Sequence, residues 1–461
     1  VSARTHESPV AGKHLFVIEK GQKPGRALPK GAVTAEVGWH IRFNAAVLDT
    51  FDVKGFQPLH YDMLVLCAAI EFADRRWKRP LGWRRTLEVT VPVIDLKSWQ
   101  KPEVLKSLHG VLNHLTGDTW RFSFVGAKDR SPIGSRQIPL DFGKTKTFAV
   151  AYSDGLDSRA VSALSGDPDE ALCIRIAGKR QRRKTGDSFF TQIPFKVQGY
   201  RGHESSFRSR GFQFAAVAAI AAQLSSVARI MVPESGQGAL GPVLLPLHNI
   251  YPDYRNHPTF FRKMERFITV LLGYRGKFEQ PRLWSTKGQT LRAFLDIPGK
   301  TERHLTSTHS CWQSRRVVNV GGRKQCGLCA ACLLRRVSLH AAGVNEARDA
   351  YVVADLAATD ASNALSVIPL KADRDIMVEY GSVGARHLQH LAELAGLPDD
   401  ALRVHASQIG AAIGESTEET LTKLRKMLGT HAVEWRAFLS AQGEQSFLKN
   451  WMDGGRYGRF K

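Results

Sequence analysis

The chain has no run of eighteen apolar residues, so it offers no helix that spans a bilayer, and no membrane partner is expected. Its first residues, Val1-Ser2-Ala3-Arg4-Thr5-His6, have no apolar core, so no secretory signal is expected and the cytoplasm is the expected compartment. Cysteine is scarce, with six in 461 residues. Cys67 and Cys173 sit in apolar helix and strand patterns and read as small core residues. Acidic side chains are also in deficit, with 43 Asp and Glu against 65 Lys and Arg, which leaves a formal net charge of +22. A field that positive attracts nucleic acid, nucleotides or an acidic protein surface. No internal repeat and no compositionally extreme segment is apparent.

What is present suits two or three domains, each large enough for its own core. Residues 1 to about 35 read as a loose arm with one strand, Leu15-Phe16-Val17-Ile18. Met63, Leu64, Leu66, Cys67 and Ile70 recur at helical spacing and predict a helix over 62–74. Leu87, Val89, Val91 and Val93 alternate, and Pro92 assigns that strand to a sheet edge. A helix over 101–115 and a strand carrying Trp120, Phe122 and Phe124 complete an α/β accessory domain over 1–140.

From Phe148 onward, strands alternate with helices, which predicts a mostly parallel sheet covered on both faces, over 145–345. Strands are expected at 148–152, 171–176, 191–197 and 228–232, and helices at 210–224 and 259–272, the latter capped by Gly273. The basic run Lys179–Lys184 reads as a solvated loop. Residues 350–461 read as a helical region. There Ser416-Thr417-Glu418-Glu419 is a capping box, Gly429 is expected to end the helix it starts, and Val433 to start another. The residues from Trp451 to Lys461 read as a loose basic tail.

Two constellations carry chemistry. In Phe148-Ala-Val-Ala-Tyr-Ser153-Asp154-Gly155-Leu156-Asp157-Ser158 a strand hands over to a helix through a short polar turn. Such a turn points N–H groups and hydroxyls outward, where phosphate binds. Ser153, Ser158 and the backbone at Gly155 are placed to take phosphate oxygens, and Asp157 to hold a magnesium ion that neutralises them. The turn lacks the lysine of the GxxxxGK[ST] loop. The second constellation is Cys311, Cys326, Cys329 and Cys332. With no export signal expected, such a cluster points to metal rather than disulfides; four thiolates make a closed structural zinc site, with an iron–sulfur cluster as the alternative. A lone histidine, His257, precedes a helix; it either faces the site or, as is commoner for a lone histidine, is structural.

The first turn resembles the SGGxDS loop of the PP-loop ATPases, with Asp154 in place of the first glycine. An extra carboxylate there repels phosphate unless a metal lies between. Together with Ser209-Arg210-Gly211, Glu234-Ser235-Gly236, Thr286-Lys287-Gly288 and the C-x14-C-x2-C-x2-C clip, residues 145 to 345 resemble the 7-cyano-7-deazaguanine synthase (QueC) family. The long form resembles the QueC-like proteins of bacterial antiphage defence operons, of the Qat type or the CBASS-associated type. The resemblance implies an α/β PP-loop domain with a zinc clip, flanked by accessory regions. It implies an ATP- and Mg2+-dependent ligase that adenylates the carboxylate of 7-carboxy-7-deazaguanine for attack by an amine, either ammonia or an amine on a protein partner from the same operon.

Carried onto this chain, the resemblance makes Ser153, Asp154, Gly155, Leu156, Asp157 and Ser158 the ATP cradle. Asp157, Lys287 and Arg210 are implied as catalytic, Arg210 and Glu234 as substrate-binding, and Cys311, Cys326, Cys329 and Cys332 as zinc ligands. Two other readings remain open at this point. One is a tRNA-modifying PP-loop enzyme, which the positive charge favours. The other is a non-catalytic nucleotide-binding scaffold, which Asp154 favours.

Overall fold

The computed structural model describes residues 12–23, 27–45, 48, 55–81, 83–129, 146–153, 155–178, 190–200, 204–246, 251–313, 318 and 324–452. Among them the strands form a four-stranded sheet and a six-stranded sheet. The first contains β1 (Lys13–Ile18), β2 (Val33–Glu36), β4 (Thr86–Val93) and β5 (Thr119–Gly126) in the order β2-β1-β4-β5, all parallel. β3 (Ile41–Phe43) leaves this sheet and pairs antiparallel with a strand of the second. Helices α1 (Pro58–Arg76) and α2 (Pro102–Thr116) come from the same stretch of chain.

The second sheet is built from β6 (Phe148–Ala151), β7 (Ala171–Ala177), β8 (Thr191–Val197), β9 (Arg229–Met231) and β10 (Lys277–Glu279). Its order is β10-β9-β6-β7-β8-β3, and only β3 runs antiparallel. The chain moves outward from β6 to β7 and β8, then returns to place β9 on the other side of β6. That reversal is a topological switch point, and open parallel sheets bind ligands beyond the strand ends there. Its crossover helices are α3 (Leu156–Ser165), after β6, and α4 (Arg210–Leu224), between β8 and β9. The six alanines of α4 give it no polar face, and Phe212, Ile220 and Leu224 lie in one core with Leu15, Val89 and Phe267. Each such large apolar side chain stabilises the fold by about 1.5–3 kcal/mol.

After β9 come α5 (Gly236–Leu244), α6 (Pro258–Leu272), α7 (Lys287–Leu295) and α8 (Ala330–Ala341). The helical C-terminal region contributes α9 (Lys371–Glu393), α10 (Asp399–Ile413), α11 (Thr417–Ala441) and α12 (Phe447–Met452). Among the described residues no helix is long and apolar enough to cross a membrane.

A buried ionic knot joins the two sheets' supporting elements. Arg79 and Arg85 both donate to Asp74 and Asp118, at 2.6 to 2.9 Å, and Asp74 also accepts from the Ser209 N–H at 2.8 Å, just before α4. Four charges out of water are tolerated because each carboxylate is bonded more than once.

Several expectations need correction. β4 is an interior strand, paired with β1 and β5. Its pairing with β1 stops at Thr90, so Pro92, which has no N–H to offer, lies past the last residue paired on that side. Gly429 does not end a helix, since α11 continues from Thr417 to Ala441. Leu428, Ala432 and Trp435 bury one continuous face across that glycine and outweigh a glycine cost of about 1 kcal/mol. Trp451 belongs to α12 and is buried, not part of a loose tail. The glycine-rich turn after β9 becomes α5 at Gly236, where a Cβ would stand 2.5 Å from the Leu283 carbonyl oxygen. The stretches 179–184 and 453–461 lie outside the described residues.

Candidate functional site

β6 and β9 are neighbours, and both end at the switch point. Beyond β6, the turn closes on itself. The Ser153 and Ser158 hydroxyls are 2.7 Å apart, the Ser153 N–H donates to Ser158 Oγ, and the Gly155 N–H donates to Ser153 Oγ at 3.3 Å. Gly155 caps α3, which puts Leu156, Asp157 and Ser158 in its first turn. Leu156 turns inward to the core, so its part in any cradle is limited to its backbone. Asp154 lies outside the described residues.

Beyond β9, Glu234 and Ser235 lead into α5. Lys287 opens α7, whose N-cap Thr286 forms a capping box with Gln289. These three segments converge. Lys287 Nζ lies 2.5 Å from Asp157 Oδ2 and 3.8 Å from Glu234 Oε1. Ser235 Oγ donates to Asp157 Oδ1 at 2.9 Å and stands 3.2 Å from Thr290 Oγ1. Asn256 Nδ2 donates to Glu234 Oε2 at 2.9 Å.

The electrostatics of the group follow from two carboxylates sharing one ammonium. Burial pushes the Glu234 carboxyl up to about 8, the Asp157 charge adds to that, and Lys287 opposes it. Burial acts against the Lys287 ammonium, but Asp157 and Glu234 outweigh it and raise its pKa. A carboxyl raised that far keeps its proton at neutral pH, so Glu234 adds no full second negative charge beside the Lys287–Asp157 pair. A largely buried ammonium beside two carboxylates can accept an anion on the lysine and a divalent cation on the acids.

Arg210 stands apart from this trio. It is the first residue of α4, its guanidinium lies 5.0 Å from the Phe214 ring centroid, and it remains open to solvent. Surrounding protein and the charge of Arg255 pull its pKa down. Arg255 forks onto Asp253, its neighbour Asn256 donates to Glu234, and its charge acts on Arg210, so Arg210 and Arg255 form a cationic flank next to Asn256 and Glu234. His257 is structural: Nδ1 caps α6 by accepting from the Thr259 N–H, and burial drives its pKa down to about 3.

The C-terminal region reaches the site from behind. The Lys287 N–H donates to Gln237 Oε1 at 2.6 Å, Gln237 Nε2 lies 3.2 Å from His431 Nδ1, and the other His431 nitrogen is 3.0 Å from the Leu388 carbonyl oxygen. Thr286 Oγ1 donates to Glu434 Oε1 at 2.8 Å, and Arg292 also reaches that oxygen. Gly288 is required here, since a Cβ would lie 2.6 Å from Glu434 Oε1 and 2.7 Å from the Ala341 Cβ. Of these supports, Ser235 belongs to the Glu234-Ser235-Gly236 stretch and Thr290 lies one turn beyond Lys287. Gln237, Asn256, His431 and Glu434 carried no sequence signal.

The four clustered cysteines converge as expected, with all sulfurs within 4.8 Å of one another and Cys326 and Cys332 Sγ 3.7 Å apart. Zn–S bonds of about 2.3 Å in a tetrahedron require sulfurs about 3.8 Å apart. The N–H groups of Cys326 and Gln313 point at Cys311 Sγ, and that of Cys329 at Cys326 Sγ, which favours thiolates. The group fits a zinc clip. The helix that follows, α8, anchors it: Arg335 binds Glu346, Thr308 and the Leu305 carbonyl, and Arg336 binds the Val353 and Ala354 carbonyls.

A parallel-sheet α/β protein with an acid–lysine site at its switch point and a four-thiolate clip beside it is the class that fold and site define. Residues 239–343 match the family model described as "Queuosine biosynthesis protein QueC". That match makes this segment, less than a quarter of the chain, QueC-like. The matched segment holds Lys287 and all four clip cysteines but begins after Glu234 and does not include the turn at Ser153–Ser158. No curated protein and no solved structure matches the chain.

Proposed function

We propose that the protein is an adenylating ligase that activates the carboxylate of 7-carboxy-7-deazaguanine for attack by an amine. The convergence of Lys287, Asp157 and Glu234 beyond β6 and β9 is the observation that carries this reading. A carboxylate is a poor electrophile. Its oxygen attacks the α-phosphorus of ATP, pyrophosphate leaves, and the amine then displaces AMP from the acyl carbon. A site for this step has only to align the reactants and neutralise charge.

On this reading Ser153, Gly155 and Ser158 hold phosphate oxygens, with the Leu156 backbone beside them, and Asp154 is counted in the cradle from its place in the sequence alone. Lys287 moves from Asp157 to the phosphates. Asp157 and Glu234 would hold magnesium, which supplies charge neutralisation. Arg210 is assigned to the purine carboxylate, on the cationic flank next to Glu234. The acceptor is ammonia or an amine of a partner protein, and the cellular role is antiphage defence in the cytoplasm. Residues 145–345 form the catalytic unit, with 1–140 and 350–461 as its flanks.

The test is incubation with ATP, Mg2+ and 7-carboxy-7-deazaguanine, with and without operon partners. Release of AMP and pyrophosphate together with a changed purine mass is expected. No nucleotide turnover in any combination would reject the reading. Sulfur transfer to tRNA is disfavoured because Cys67 and Cys173 are buried and burial raises both thiol pKa values, Cys173 to about 11.

A further inference from the structure

A groove of about 360 Å³ is lined by Arg282, Trp284, Ser285, Gln289, Lys423 and Lys426, and Thr290 links its Arg282 to Ser235 of the acid–lysine site. One wall comes from the residues before and within the first turn of α7, and the other from α11. The second wall lies outside the segment that matches the QueC family model, so the groove exists only because the C-terminal helices pack there.

Every ionisable lining side chain is a cation, and no carboxylate lines the groove. Lys423 is balanced by Glu415 at 2.8 Å. Lys426 is exposed and has no ion pair among the described residues, and Arg282 has only an Nε contact to Thr290 Oγ1 at 3.3 Å. Trp284 is half-buried against the core that includes Leu240 and Leu424. Cations on facing walls suit phosphate, and an aromatic side chain between them suits a planar base. An acidic peptide would use the cations and leave the tryptophan idle. An inorganic anion would not fill a volume that falls in the usual range of ligand sites, about 300–1,000 Å³. The net charge of +22 supplies the long-range attraction a strand needs.

We propose that this groove binds single-stranded nucleic acid, with one nucleotide's phosphate among Arg282, Lys423 and Lys426 and its base against Trp284. The strand would then lie near the site, since Thr290 Oγ1 contacts both Arg282 Nε and Ser235 Oγ, and Ser235 donates to Asp157. Strand binding is measured without ATP, so its failure is distinguishable from failure of the ATP chemistry.

The experiment is fluorescence anisotropy with a labelled oligothymidylate of about 12 nucleotides, titrated across a range of salt. The proteins are the wild type, Lys426→Ala and the Lys423→Ala/Lys426→Ala pair, with thermal melts to confirm folding. Each lysine taken away from a phosphate should lower the slope of log K against log salt by about 0.7, so the single variant should lose about 0.7 and the pair about 1.4. The pair should bind about tenfold more weakly at moderate salt, with nucleotide turnover unchanged. Unchanged affinity and slope would overturn the proposal. So would equal weakening of AMP binding, which would assign the groove to free nucleotides, or a parallel loss of ATP turnover, which would fold it into the ATP site. Binding of polyglutamate in place of the oligonucleotide would reassign it to an acidic protein.

Discussion

Lys287 Nζ and Asp157 Oδ2 lie 2.5 Å apart, which joins the first turn of α7 to the first turn of α3 across the end of the sheet. Replacing Lys287 by Met should leave two carboxylates facing each other without a cation and push the Glu234 carboxyl further up. Nucleotide turnover should fall about 10²–10³-fold, the scale of losing one charge-stabilising donor, with the fold retained. Steady-state AMP and pyrophosphate release, alongside circular dichroism, measures this. Wild-type turnover in Lys287→Met would remove the lysine from the site.

The stored proton on Glu234 gives a pH signature. Its carboxyl is raised from an ordinary value of 4.5 to about 8, so between those values the folded chain holds a proton that the unfolded chain has released. The stability tied to that group is complete below 4.5 and is lost as pH rises through 8. Differential scanning fluorimetry from pH 5.5 to 8.5 should therefore show the wild-type Tm falling relative to that of Glu234→Gln. Parallel curves would mean that Glu234 is ionised throughout.

Glu434 is buried, bonded through Oε1 to Thr286 and Arg292, while its Oε2 has no hydrogen-bond partner. Burial holds its carboxyl above the ordinary value, against those two contacts. Glu434→Leu should leave the Thr286 hydroxyl without its acceptor at the N-cap that places Lys287, costing about 1–3 kcal/mol of stability and lowering kcat. Glu434→Gln keeps the acceptor and should recover most of both. Urea melts and turnover of the two variants distinguish a positioning contact from general destabilisation. Equal damage in both would indicate a need for the charge itself.

The cysteine clip should carry one zinc per chain, measured by elemental analysis. Cys332→Ser should lose the metal and lower Tm by several degrees or more, because a structural zinc site folds with its ion. Chelation should do the same reversibly. A metal-free wild type of undiminished stability would reject the zinc assignment.

Sequence revealed what is local. The strand, turn and helix at 148–165, the cysteine spacing and the capping box at Ser416 each declare themselves within a few residues, whereas Lys287 is singled out only through the family resemblance. Tertiary packing decided the rest. Pro92 would exclude an interior strand only if both neighbours reached it, and β1 stops short. Gly429 ends a helix only if the next turn has nothing to bury, and Ala432 and Trp435 have a core to enter. Glu434 meets Thr286 across 148 residues of chain, a distance at which no spacing rule operates.

The pairing of β3 with β8 bears on how the chain can be shortened. Ile41, Arg42 and Phe43 cover the outer rim of the six-stranded sheet, opposite Val197, Lys196 and Phe195. A fragment that starts after residue 140 would keep every residue of the acid–lysine site, yet it would present β8 as an unprotected rim of backbone donors and acceptors, with Phe195 stripped of its stacked Phe43 ring. Such a rim recruits other chains. Aggregation of a truncated enzyme would therefore report a missing strand and say nothing about its chemistry.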